Sequence, residues 1–180
     1  MVDIRVMRPK DEGFFRQLMD AVGWGMTPDD YKRMLTFSPE GLFIAQEDEV
    51  DLGMVSTTSY GSIAWIGDLV VLPESRGHGI GAILMQKAID HLTGIGAKSI
   101  RLDAVQRAAP LYRRLGFKDE YWSLRYTGVA KTHKVTKTRP MELDDLDKVV
   151  ALDKSVFKES RHGALHYVYR QFPDLAYTAW

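Results

Sequence analysis

The spacing of apolar positions changes several times along this chain, and each change marks an element. Ile4-Arg5-Val6-Met7 alternates as a strand does, and Pro9 ends it. Between residues 10 and 22, Phe14, Phe15, Leu18, Met19 and Val22 recur at helical spacing. The loop Gly23-Trp24-Gly25-Met26 follows. Thr27-Pro28 then supplies an N-cap and a first-turn proline for a second helix with Tyr31, Met34 and Leu35 on its apolar face. Gly41–Gln46 and Val50–Tyr60 read as strands joined by the acidic turn Glu47-Asp48-Glu49, and after Gly61-Ser62 a third strand spans Ile63–Val71. Three strands joined by such short turns pair antiparallel. The period then switches again. Ile80, Ile83, Leu84, Ala88 and Leu92 mark a long helix, Gly94-Ile95-Gly96 stops it, and Ser99–Ala104 is strand-like. A strand–helix–strand unit implies a parallel pair with a helix on one face. A short helix at Ala108–Leu115, stopped by Gly116, and a last strand at about Lys118–Arg125 complete the pattern. The fold class expected is α+β: a mixed, mostly antiparallel sheet with one parallel pair, flanked by helices.

Residues 129–137 are polar and basic and read as a linker or an exposed edge strand. Beyond them the opening pattern returns. Arg8-Pro9 followed by Asp11 has a counterpart in Arg139-Pro140 followed by Asp144-Asp145, and two helix candidates follow, at about Asp144–Val156 and Arg161–Gln171. Leu175–Trp180 then looks like the start of a strand. Residues 138–180 thus resemble the opening of a second copy of residues 1–128, with an ordinary helical extension as the alternative. About 40 apolar-patterned residues seldom stabilise themselves, so docking on the first domain or formation of a homodimer is expected of this segment.

Composition narrows the class. Hydrophobic residues make up 45% of the 180, enough for a core, and 24 basic residues balance 24 acidic ones, so no global charge draws the chain to nucleic acid or an anionic membrane. There is no cysteine, which removes disulfides, thiolate metal sites and thiol nucleophiles. The first residues lack the apolar core of a signal peptide, and no apolar run approaches a membrane span, so a cytoplasmic protein without metal, membrane or nucleic-acid partner is expected.

The candidate chemistry sits in Leu69–Gly81, LVVLPESRGHGIG. A strand runs through a Pro-led turn and a glycine-rich loop into a helix N-terminus, which is an arrangement that holds phosphate. Glycines let the backbone approach closely, the first-turn N–H groups are unpaired, and the helix dipole favours an anion. Arg76 and His78 add positive charge. Arg76-Gly77-His78-Gly79-Ile80-Gly81, preceded by Val71-Leu72-Pro73 and followed by Leu111-Tyr112 ahead of Leu115-Gly116-Phe117, resembles the GCN5-related N-acetyltransferases (GNAT) over roughly residues 3–128. The resemblance implies an acetyl-CoA-dependent N-acetyltransferase that acts by direct transfer to a primary amine, of a small molecule or a protein, in a ternary complex. It further implies that the parallel strands splay to admit the pantetheine arm. The main chain of Leu69, Val70 and Val71 would pair with that arm, and Arg76, Gly77, His78, Gly79, Ile80 and Gly81 would hold the pyrophosphate. Tyr112 maps onto the acid that protonates the leaving thiolate.

The base is open between Asp68, an acid in an apolar strand whose burial would raise its pKa, Asp103 and a water chain. Trp24, Tyr31, Tyr60 and Trp65 are candidates for an acceptor pocket, with core packing as the alternative. One departure from the family pattern is Val105, at a position that often carries a coenzyme-binding Asn. Two other readings fit parts of the pattern. A non-catalytic acyl-CoA sensor or interaction module would use the same fold. Gly77-x-Gly79-x-x-Ala82 with Asp103 also loosely fits the fingerprint of an NAD-dependent oxidoreductase.

Overall fold

The computed structural model describes residues 1–129 and 137–179. The chain divides into two compact units, Met1–Asp119 and Glu120–Trp180. In the first, β1 (Asp3–Val6), α1 (Glu12–Val22) and α2 (Pro28–Phe37) precede the meander β2 (Leu42–Glu47), β3 (Val50–Tyr60) and β4 (Ile63–Val71). After these come α3 (Ile80–Gly94), β5 (Ser99–Arg101) and α4 (Ala109–Arg114). The five strands form one sheet in the order β1-β2-β3-β4-β5. All neighbours are antiparallel except β4 and β5, which run parallel because α3 crosses between them. The expected fold class holds. A single parallel pair also removes the support for a dinucleotide fold, which needs a run of parallel strands.

Strand alternation divides the core between the two faces of the sheet. Ile44, Met54 and Val70 face Phe15, Leu18, Met19 and Tyr31 of α1 and α2. Phe43, Ala45, Val55, Ala64 and Ile66 face Ile80, Leu84, Met85, Ala88 and Leu92 of α3. The predicted start of α2 is also found: Thr27 accepts the Asp30 N–H, and the Asp30 carboxylate accepts the Thr27 N–H in return. At the β1–α1 corner, Arg5 donates twice to Asp11, at 2.8 and 3.0 Å, and Asp11 also accepts the Arg8 N–H at 2.7 Å. Burial pushes the Asp11 carboxyl up, but Arg5 and the Arg8 N–H together hold it below its ordinary value.

The second unit contains β6 (Thr138–Pro140), α5 (Leu143–Phe157), α6 (His162–Gln171) and β7 (Tyr177–Ala179), with β6 and β7 antiparallel. Its internal geometry repeats that of the first. Arg139 donates twice to Asp145, at 2.6 and 2.7 Å, and Asp145 accepts the Glu142 N–H at 2.9 Å. Arg139 and that N–H hold the Asp145 carboxyl down at about 2. The strand registers match too. Val6↔Phe43, Arg5↔Ile44 and Ile4↔Ala45 in one unit correspond to Pro140↔Tyr177, Arg139↔Thr178 and Thr138↔Ala179 in the other. Met7 N–H bonds to the Leu42 carbonyl, as Met141 N–H does to that of Ala176. One constant sequence offset relates all these pairs, and α6 begins and ends where that offset places α2. The sequence alignment of Arg8-Pro9 with Arg139-Pro140 was therefore three residues out of step: the equivalent of Arg139 is Arg5. The shared Arg-Pro pair is fortuitous, whereas the Arg-to-Asp clasp has one spacing in both units.

Two strand boundaries differ from expectation. Residues 118–125 form no strand: alternation at Trp122, Leu124 and Tyr126 suits one, but a strand needs a ladder partner, and the described strands give these residues none. β5 ends at Arg101 rather than Ala104, since its pairing with β4 ends there. The linker or edge strand expected at 129–137 lies mostly outside the described residues, as does Trp180. No helix among the described residues is long and apolar enough to cross a membrane.

Candidate active site

The parallel pairing of β4 and β5 lasts only from Ile63↔Ser99 to Trp65↔Arg101. From Ile66 onward β4 continues while β5 has ended, so the two chains part. The gap is a cleft of about 290 Å³, lined on one side by Gly67, Asp68, Leu69 and Val71, and on the other by Leu102, Asp103 and Val105. Arg76, Trp24 and, from α4, Tyr112 complete its wall.

Asp68 owes its place to a slip of register. Met54 pairs with Val70 but Ser56 pairs with Gly67, so Val55 on β3 spans the extra residue that Asp68 and Leu69 bring to β4. This is a β-bulge, and Asp68 occupies its left-handed position at φ 49°. Asp tolerates that region better than most residues with a Cβ. Its carboxylate is largely buried and accepts the Ser56 hydroxyl at 2.6 Å. Burial raises the Asp68 pKa from its ordinary value; the Ser56 hydrogen bond opposes the rise without cancelling it. The Tyr112 phenol is also pushed up by burial, and its ring packs edge-on against Phe117 at 6.3 Å.

The glycine loop has the geometry that anion binding needs. A 3₁₀ turn at Pro73–Ser75 follows β4, and Arg76 folds back so that its Nε–H donates to the Val71 carbonyl at 2.9 Å. Gly77 and Gly79 stand at φ 86° and 81°, and the space where a Cβ would sit is open at both. Gly79 is the left-handed N-cap of α3, whose first turn contains no acidic residue. The N–H groups of Ile80 and Gly81 open the helix and have no intrahelical acceptor, whereas those of Ala82 and Ile83 donate to the Gly79 carbonyl. Among the described residues no group of three or more His, Asp or Glu is placed to hold a metal ion.

The remaining expected residues divide. Leu69 and Val71 line the cleft, whereas the Val70 side chain is buried in the α1/α2 core and leaves only its main chain for a ligand. Ile80 is 4% exposed and likewise offers only its N–H, while the exposed His78 ring lies 3.4 Å from the Ser75 carbonyl. Trp24 lines the cleft. Tyr31 does not: it is 1% exposed, lies against Phe15 at 4.9 Å, and donates its hydroxyl to the Arg8 carbonyl at 2.5 Å. Burial, reinforced by Asp11 and Glu12, pushes its phenol up to about 12. Trp65 is also absent from the cleft. It lies where β4 is still paired, edge-on to Tyr60 and beneath the Arg101 guanidinium. Cleft residues that the sequence did not single out for the site are Val22, Ile66, Gly67, Leu102, Arg107 and Ala108, together with Ser56 behind Asp68. For Ser56 a signal existed, a small polar residue after Val55 in an apolar strand, but its partner is twelve positions away and set by the bulge.

Residues 11–117 match the family model described as Acetyltransferase (GNAT) family. An uncharacterised N-acetyltransferase of Porphyra purpurea is 31% identical over 106 residues, which is 56% of this chain and 61% of that protein. A mycothiol acetyltransferase of Streptomyces coelicolor is 34% identical over 104 residues, 54% of this chain and 33% of its own length. A crystal structure of a putative acetyltransferase from Pyrococcus horikoshii superposes with TM-score 0.70 at 24% identity, covering 94% of this chain and 62% of the other. The chain thus spans less than two thirds of each of these relatives.

Proposed function

This chain belongs to the acetyltransferase (GNAT) family, and on that premise we propose that it acetylates a primary amine by direct transfer from acetyl-coenzyme A in a ternary complex. The observation that carries the proposal is the meeting of Asp68, Tyr112 and Arg76 on one cleft, opened where β4 and β5 part. When bound, acetyl-coenzyme A supplies the acyl carbon as an activated thioester. The residues present fit it. The left-handed glycines and the first turn of α3 offer N–H groups to the pyrophosphate, with Arg76 beside them. The edge of β4 past Trp65, along which β5 no longer runs, offers main-chain groups to an amide-bearing arm.

Asp68, with its pKa raised by burial, takes the proton of the incoming ammonium. The neutral amine then forms the C–N bond as the C–S bond breaks, Tyr112 gives its phenolic proton to the departing thiolate, and the second proton that the nascent amide nitrogen sheds returns to the Tyr112 phenolate. A phenol pushed up by burial stays protonated at neutral pH and so holds that proton until it is needed. Trp24 and the carboxylates of Asp68 and Asp103 suit a cationic acceptor. The test is thiol release from acetyl-coenzyme A with a panel of amines. Turnover with some amine, lowered ~10²-fold or more by Tyr112→Phe with coenzyme affinity kept, is the expected result. Binding without turnover across the panel points instead to a non-catalytic acyl-CoA sensor.

We further propose that residues 138–180 are the opening of a second copy of the same fold. Support comes from the matched clasp and registers of the two units and the matched bounds of α2 and α6, related by one constant offset.

A further inference from the structure

Ser56 sits on β3 with 6% of its surface exposed, and its hydroxyl hydrogen is directed to Asp68 Oδ2 at 2.6 Å. The bond exists because of two local features. The bulge brings Asp68 out of the regular alternation of β4, and the residue paired with Ser56 is Gly67, where a Cβ would stand 3.1 Å from the Ser56 Oγ. The opposing residue therefore leaves the hydroxyl its space. Such a donor affects a buried carboxylate in two ways: it fixes one oxygen in place, and it stabilises the ionised form against desolvation.

We propose that Ser56 is a positioning residue for Asp68, anchoring Oδ2 so that Oδ1 is the oxygen that takes the proton from the acceptor amine. The inference rests on the reading of Asp68 as the base. Other charged groups also act on this carboxylate. Arg33 and Asp30 of α2, themselves paired at 2.8 Å, favour and oppose its ionisation respectively. Arg76, Asp103 and Arg107 share the cleft wall, as does the Tyr112 phenol. Among these described groups, the Ser56 hydroxyl is the one hydrogen-bonded to Asp68.

The experiment compares the wild-type chain with Ser56→Ala, Ser56→Thr and Gly67→Ala. The Asp68 carboxyl is titrated by carbon NMR, and kcat/KM is measured against pH with the best amine of the panel. Loss of a hydrogen bond to a charged group is expected to move the Asp68 midpoint up by about one pH unit in Ser56→Ala. The acid limb of kcat/KM should move with it, since the base works only when ionised. Ser56→Thr, which keeps the hydroxyl, should restore both. Gly67→Ala crowds the hydroxyl without removing it and should give a smaller shift of the same sign, so the proposal stays testable if Ser56→Ala does not fold. An unmoved carboxyl midpoint in folded Ser56→Ala or Gly67→Ala overturns the role of Ser56. A midpoint that moves while the acid limb stays keeps the Ser56–Asp68 linkage but removes Asp68 as the base.

Discussion

Asp68 combines two unfavourable states, a left-handed backbone and a largely buried carboxylate. The backbone alone costs on the order of 1 kcal/mol or more. The carboxyl adds a cost that depends on pH. Its folded pKa lies above its unfolded value, so the native state binds the proton more tightly. The corresponding stability is fully present below the unfolded pKa and is lost as pH rises through the folded one. Asn tolerates the left-handed region and never ionises. Asp68→Asn should therefore melt higher than wild type at neutral pH, and the gain should shrink toward zero as acid protonates Asp68 in both states. At neutral pH, where wild-type Asp68 acts as the base, activity should fall by ~10²-fold or more, and that gap too should narrow as acid protonates Asp68. A variant that melts lower at neutral pH, measured by calorimetry at several pH values, contradicts this account of the site. Tyr31 shows the opposite relation between sequence and site. Its helical spacing with Met34 and Leu35 is commoner in a core but left the pocket open, and the hydrogen bond to the Arg8 carbonyl that decides for the core joins residues 23 apart.

At the scale of elements, the glycine loop is the part whose role can be tested by one substitution. The Cβ position at Gly79 is open, so a Cβ there meets no protein atom within 4 Å and costs mainly its positive φ. Gly79→Glu places both bulk and negative charge where the proposed pyrophosphate lies. It should weaken acetyl-coenzyme A binding, followed by titration calorimetry, far more than it lowers the melting temperature; equal affinity in a folded variant removes the loop from the site. This loop, the helices and the meander were legible because each is written in local spacing: glycines at alternate positions, Thr27 ahead of Pro28, the apolar faces of α1 and α3. The bulge at Asp68 was not, because a register slip depends on how β3 pairs with β4 rather than on either strand alone. The supposed strand at Lys118–Arg125 failed for the same reason, as alternation supplies a face but no partner. The cleft itself was foreseen only through the family resemblance. That β5 stops at Arg101 while β4 runs on to Val71 has no signature in Leu102-Asp103.

At the scale of the whole chain, the two core clusters of the described residues are built from residues up to Phe117, and the cleft is lined by residues of the same span. A chain ending at Lys137 is accordingly expected to fold and to bind acetyl-coenzyme A with the affinity of the full chain. Failure to fold, or a large loss of affinity by calorimetry, shows that residues 138–180 are needed to complete the first unit. The clasp that recurs in both units, Arg5 to Asp11 and Arg139 to Asp145, has a kinetic consequence. Each clasp joins residues six apart, so forming it closes a very short loop and gives up little chain entropy. Joining β4 to β5 instead requires the whole α3 crossover to be in place. Contacts of the first kind favour fast folding and contacts of the second kind slow it. The strand–helix corner is thus among the contacts either unit reaches readily during a search from the unfolded chain, whereas the β4–β5 pairing beside which the cleft opens joins distant residues, Ile63 to Ser99, and comes at greater entropic cost.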